Sequence, residues 1–202
     1  ACAPFRRLHL CHHNLEKMET TKITHKNDLL AEVCYAAKYG GESITRYHPQ
    51  HKETNNESQL CTVLARSFAD IGDIVRGRDL FRGNDKEKDQ RKQLDKKLKE
   101  IFKNIYKELT TTNGSNGKKA SEAQKRYRGD PDFLKLREDW WTANRHTVWE
   151  AITCKAVGGK YFRQTACSRN YQTGDKCRCA AGDVPTYFDY VPQYLRWFEE
   201  WA

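Results

Sequence analysis

Five lysines, Lys92, Lys96, Lys99, Lys103 and Lys107, recur at steps of four, three, four and four. That spacing stacks side chains along one stripe of an α-helix, and a stripe of ammonium groups is suited to a polyanion. Lys118, Lys119, Lys125, Arg126 and Arg128 follow and extend the positive region. Residues 86 to 128 hold 14 Lys or Arg against six Asp or Glu, a net of +8 in a chain of net +9. A sulfated polysaccharide would meet repeated contacts there, each worth ~0.2–1 kcal/mol by analogy with surface ion pairs and several acting together. Such binding weakens with salt. The same lysines also suit a solvated face that keeps the chain soluble, with Asp89, Asp95 and Glu100 beside them, and both readings stand at this point.

Eight cysteines are the second chemical feature. They form two even groups, Cys2, Cys11, Cys34 and Cys61, then Cys154, Cys167, Cys177 and Cys179, with 92 residues between. The parity suggests two separate staples. If each group closes internally, the 105 pairings open to eight cysteines fall to nine, three for each group. Disulfides place the chain in an oxidising compartment, outside a cell. His9, Cys11, His12 and His13, and Cys177-Arg-Cys179, also offer zinc donors. Neither cluster repeats the paired-cysteine spacing of a zinc site at a second position, so structural disulfides are expected and no metal or cofactor.

Other chemistries find less support. Nucleic acid is a polyanion too, but the aromatic residues fall at core-like positions rather than among the basic ones as stacking platforms, so no nucleic-acid partner is expected. The sequence has no nucleophile elbow, phosphate loop or metalloprotease helix, and no enzyme is expected. Trp140, Trp141 and Trp149 have the ring faces to stack on sugars, yet they recur at helical spacing and read as core. Arg78 and Arg82, near a glycine-punctuated turn, fit either a carbohydrate contact or a helix cap. Asn56-Glu-Ser58 and Asn113-Gly-Ser115 are glycosylation sequons and mark exposed positions at most.

The elements that must position these residues are helical. Residues 1 to 26 carry little periodicity and read as irregular structure pinned by Cys2 and Cys11. Asn27-Asp28 caps a short helix bearing Leu29, Val33, Cys34 and Ala36, which Gly40-Gly41 is expected to end with left-handed backbone. Arg46 to Asn56 is polar and reads as a loop. From Ser58, Leu60, Leu64, Phe68, Ile71 and Val75 give one buried helical face. A third helix from about Asp85 to Leu109 buries Leu94, Leu98, Ile101, Ile105 and Leu109, opposite the lysine stripe. Thr110 to Lys119 is a polar low-complexity loop. Asp130-Pro131 opens a fourth helix with Phe133, Leu136, Trp140, Val148 and Ile152 on a broad face. A cysteine-rich loop spans 160–184, and an amphipathic helix with Leu195, Phe198 and Trp201 on one side follows Pro192.

Charged residues at 31% and 23 aromatic residues describe a soluble globular domain rather than a membrane protein or a disordered tail. No run approaches the roughly 20 apolar residues that span a bilayer, so no direct membrane insertion by these residues is expected. The start lacks an initiator Met and a signal pattern, and the last helix lacks a stop signal. The chain therefore reads as an excised piece whose final helix continues.

Three long segments in order, Ala1-Cys-Ala-Pro-Phe-Arg-Arg-Leu-His-Leu-Cys11, Leu136-Arg-Glu-Asp-Trp-Trp141 and Asp183-Val-Pro-Thr-Tyr-Phe-Asp-Tyr-Val-Pro-Gln-Tyr-Leu-Arg-Trp-Phe198, carry a family resemblance. With Ala65-Arg-Ser-Phe-Ala-Asp-Ile-Gly-Asp-Ile-Val-Arg-Gly-Arg-Asp-Leu-Phe81 between them, the chain resembles an alpha-class Duffy-binding-like domain of the malaria-parasite erythrocyte membrane protein 1 family. The resemblance implies a mostly α, disulfide-stapled fold: a loop-rich first subdomain, here 1–57, a helical-bundle second, here 58–202, and a cysteine-rich third that is absent. It implies an extracellular ectodomain of a membrane protein on the infected red-cell surface. The expected partners are red-cell receptors in cytoadhesion and rosetting, sulfated or blood-group glycans, and host antibodies. A structural, antigenically variable scaffold with receptor binding elsewhere, and a related erythrocyte-invasion ligand, are the alternatives.

Overall fold

The structure, a computed structural model, describes residues 2–23, 25–54, 58–111, 117–159 and 161–201. Its helices are α1 (Phe5–Leu8), α2 (His13–Lys17), α3 (Lys26–Thr54), α4 (Leu60–Arg76), α5 (Asp85–Thr110), α6 (Gly117–Arg126), α7 (Leu134–Ile152) and α8 (Gln193–Trp201). Among the described residues there is no strand, only isolated bridges of Gly159 with Lys176 and Cys167 with Tyr171. Asn56 and the Asn113 sequon lie outside the described residues, as does part of the polar loop, 112–116.

α4 lies at the centre because almost none of its circumference is left to solvent. The expected face, Leu64, Phe68, Ile71 and Val75, is buried, and so are Ser67, Asp70, Asp73 and Arg76. Phe68 packs between Trp141 and Trp149 of α7, with ring centroids 5.1 and 5.3 Å away. Phe102 of α5 meets Trp140 edge-on at 6.1 Å. The three tryptophans are core residues, as their spacing predicts.

α3 corrects the sequence reading. It continues through Gly40-Gly41 and through the expected 46–56 loop as far as Thr54, because Gly41 serves close packing rather than a turn. A Cβ at Gly41 would lie 1.9 Å from the Ile152 carbonyl oxygen. α3 therefore lies against α7 along its length, and near the start of both helices Trp140 Nε1 donates to Lys26 O at 3.3 Å.

Two other boundaries move. Lys118 and Lys119 lie on α6 rather than in a loop. α7 begins at Leu134, not at Pro131, after Phe133 in left-handed conformation at φ 55°. Asp130 still caps it: its carboxylate accepts from the Leu134 and Lys135 amides, both at 2.9 Å. The irregular N-terminal stretch contains two short helices, α1 and α2.

The disulfides also differ from closure within each cysteine group. Cys61 in the first turn of α4 bonds Cys177, 116 residues away, and only Cys167–Cys179 closes locally. The packing of α7 on α4 carries the following loop across the start of α4. There Gly159 gives room, since a Cβ would sit 3.0 Å from both sulfurs of the long bridge. Cys2, Cys11, Cys34 and Cys154 are free thiols in this structure, and burial pushes the Cys34 thiol up to about 11.

Candidate polyanion-binding face and its support

α5 is built to stand as a long, regular rod. Asn84 caps it: the Asn84 side chain accepts from the Glu87 amide at 2.9 Å and the Glu87 carboxylate accepts from the Asn84 amide at 2.8 Å, a reciprocal box that satisfies two otherwise orphaned donors. Leu94, Leu98, Ile101, Phe102 and Ile105 are buried. The lysine stripe thereby faces away from the core, and its 15 residues of rise span ~22 Å.

The lysines are not equivalent. Lys96, Lys103 and Lys107 are exposed and have no acidic partner among the described residues. Lys92 lies 3.8 Å from Asp89. Lys99 is engaged, at 3.3 Å from Asp95 and 3.1 Å from Asp132, and hydrogen bonding to Asp132 with Asp95 alongside holds its ammonium above the ordinary value. Asp95 is also bonded by Arg137 at 2.9 Å.

α6 packs back on α5 through buried Ala120. Gln124 reaches Thr110 O at 3.5 Å, and Tyr127 meets Tyr106 edge-on at 6.5 Å. Lys118, Lys119 and Lys125 thus lie exposed on a helix beside the C-terminal half of α5, with Arg128 exposed just beyond. Arg126 is spent on structure. Its guanidinium donates twice to Asp139 at 2.5 and 2.7 Å, which holds the Asp139 carboxyl below the ordinary range. Arg78 pairs with Glu138 at 2.9 Å, and Arg82 is exposed.

Sequence reasoning missed a second charged region, buried under the N-terminus and α8. Asp70 of α4 accepts from Arg6 and from Arg196, both at 2.7 Å. Asp73 accepts from Arg76 at 2.9 Å and pairs with Arg196. On α7 and the following segment, Arg145 clamps Asp189 at 2.8 Å through two nitrogens, and Trp141 Nε1 donates to the same carboxylate at 2.9 Å. The only local signal is a run of ionisable residues at i and i+3 on an apolar helix, Asp70, Asp73 and Arg76. Beside this region, α1, α3, α4 and α8 wall a groove of about 880 Å³ with Phe5, Tyr47, Phe162 and Trp201 among its lining residues.

A family model for the Duffy binding domain matches residues 1–196. The chain belongs to the Duffy binding domain family. The NTS-DBL1(alpha-1) domain of the Plasmodium falciparum membrane protein 1 (PfEMP1) from the varO strain is 46% identical with a TM-score of 0.79, over 100% of this chain and 43% of that one. The NTS-DBL1-alpha and CIDR-gamma double domain from the same strain is 43% identical with a TM-score of 0.79, over 100% of this chain and 27% of that one. The PfEMP1 IT4var13 DBLbeta domain bound to ICAM-1 is 30% identical with a TM-score of 0.66, over 100% of this chain and 44% of that one. No curated protein matches. The chain thus spans less than half the length of these Duffy-binding relatives, and the alpha-class Duffy-binding-like assignment from the sequence segments agrees with the two DBL1-alpha structures.

Proposed function

We propose that this Duffy-binding domain is a host-receptor-binding adhesion module of a variant surface protein on infected red cells, and that its α5 face binds sulfated, heparan-sulfate-like chains. The observation that carries the reading is the exposed row of Lys92, Lys96, Lys103 and Lys107, ~22 Å from end to end, with the α6 cations beside it. The capped helix fixes the spacing of the row before a polyanion arrives, so the backbone needs no further ordering, which removes part of the entropic cost of binding. The role needs no catalytic residue. An extracellular setting fits the disulfides, and no helix among the described residues is long and apolar enough to cross a membrane.

The test is heparin-column retention and glycan-array binding of the chain with Lys92, Lys96, Lys99 and Lys103 changed together to Glu. Both should collapse while the circular dichroism stays native. Unchanged binding by the folded variant rejects the stripe. A protein receptor is the second reading, favoured by the solved DBLbeta relative bound to ICAM-1; it predicts red-cell or receptor binding that survives the four substitutions.

A further inference from the structure

α8 is packed against the usual order for an amphipathic helix. Leu195, Phe198 and Trp201 are 46%, 70% and 54% exposed, while Gln193, Arg196 and Trp197 are buried. What holds α8 is therefore mainly polar. Arg196 bonds Asp70 and Asp73, Gln193 Nε2 donates to Asp70 at 3.2 Å and to Asp79 at 2.8 Å, and the Leu80 amide donates to Gln193 Oε1 at 2.6 Å.

The N-terminal segment uses the same carboxylates. Arg6 donates to Asp70 at 2.7 Å, and Arg7 pairs with Asp79. The two ends of the chain are also joined directly. Arg6 grips Glu200 at 2.9 and 2.8 Å, and Trp201 Nε1 donates to the Cys2 carbonyl at 2.9 Å.

We infer that α1 and α8 form one clasp, which docks on the Asp70–Asp79 region and releases from it as a single unit, opening the groove it helps to wall. The reasoning is electrostatic. If α1 left alone it would remove two guanidinium groups from Asp70 and Asp79 and strand Glu200. If α8 left alone, Arg6 would keep Asp70 but lose Glu200, Asp70 would lose Arg196 and Gln193, Asp79 would lose Gln193, and Asp73 would be left with Arg76. Either half-released state keeps buried charges short of partners, which is costlier than exposing the whole cluster to water. The clasp also buries little apolar area: α1 buries only Arg7, and α8 has Trp197 as its one buried apolar residue. The α4–α7 interface, by contrast, is built from Phe68, Trp141 and Trp149. Elements with few apolar contacts open at lower free energy than the core. Pro4, Phe5 and Arg6 from one piece and Glu199, Glu200 and Trp201 from the other line the groove, so release widens it from both sides.

Native-state hydrogen exchange by mass spectrometry on the full 202-residue chain tests this, comparing wild type with Arg6→Ala and Glu200→Gln. Each variant should speed exchange of residues 7–10 and 195–201 together, by a similar factor of roughly ten, with residues 71–75 and 141–149 unchanged. If the charge variants fold poorly, Trp201→Phe, which removes the indole donor to the Cys2 carbonyl and trims the ring, should give the same paired response to a smaller degree. Acceleration confined to the mutated piece, no acceleration in any folded variant, or an equal acceleration of α4 and α7, would overturn the clasp.

Discussion

At the residue scale, two adjacent glycines have different jobs. A Cβ at Gly40 would rest 3.6 Å from Cys11 Cβ, an ordinary contact, whereas one at Gly41 would strike the Ile152 carbonyl at 1.9 Å. Gly41→Ala should lower stability by about 1–3 kcal/mol through overpacking, and Gly40→Ala should leave it unchanged or raise it by up to about 1 kcal/mol. Urea midpoints of the two variants check this. Titratable groups give a second pair. Burial pushes the Asp73 carboxyl up to about 6 despite Arg196 and Arg76. Its favourable contribution is thus complete at low pH and is lost as pH rises through 6. Burial and Arg91 push His12 down to about 4, so its contribution is present above the ordinary imidazole range and is lost as pH falls toward 4. The two oppose each other between about pH 6 and 4. Asp73→Asn should steepen the acid loss of stability across that window and His12→Gln should flatten it, read from urea midpoints at pH 7, 6, 5 and 4. If both variants keep the wild-type pH slope, these assignments fail.

At the scale of elements, α4 and α5 were legible because an apolar residue recurs each turn on one side, and tertiary packing only had to accept that face. α3 was not legible. Gly40-Gly41 and Pro49 are stop signals in isolation, and the contact with Ile152 that turns glycine into a packing device is made by a residue more than 100 positions away. The buried Asp70, Asp73 and Arg76 were missed for the same reason, since their partners Arg6 and Arg196 come from opposite ends of the chain. The lysine stripe was legible as a stripe, but not the engagement of Lys99 by Asp132 or of Arg126 by Asp139. That difference is measurable on the proposed glycan face. Lys103→Ala should lower the salt concentration that elutes the chain from heparin more than Lys99→Ala does, because Lys99 already shares its charge with two carboxylates. Equal shifts would mean that the ion pairs seen here open freely when a polyanion arrives.

At the scale of the whole molecule, the two disulfides constrain different amounts of chain. Cys61–Cys177 closes a separation of 116 residues and ties the start of α4 to the loop beyond α7, while Cys167–Cys179 closes 12. In the chain-entropy view the long loop contributes more, within a usual range of about 2–5 kcal/mol for a native bridge. It also has an enthalpic hold on the core: the Cys177 carbonyl accepts from Trp149 Nε1 at 3.1 Å, and Trp149 stands edge-on to Phe68. Replacing Cys61 and Cys177 together with Ala should therefore lower the melting temperature more than replacing Cys167 and Cys179. It should also weaken the near-ultraviolet circular dichroism of the tryptophans, which the short-loop variant should leave near wild type. A larger loss from the short loop would show that local order in the cysteine-rich segment, rather than its attachment to α4, limits the stability of the helical core.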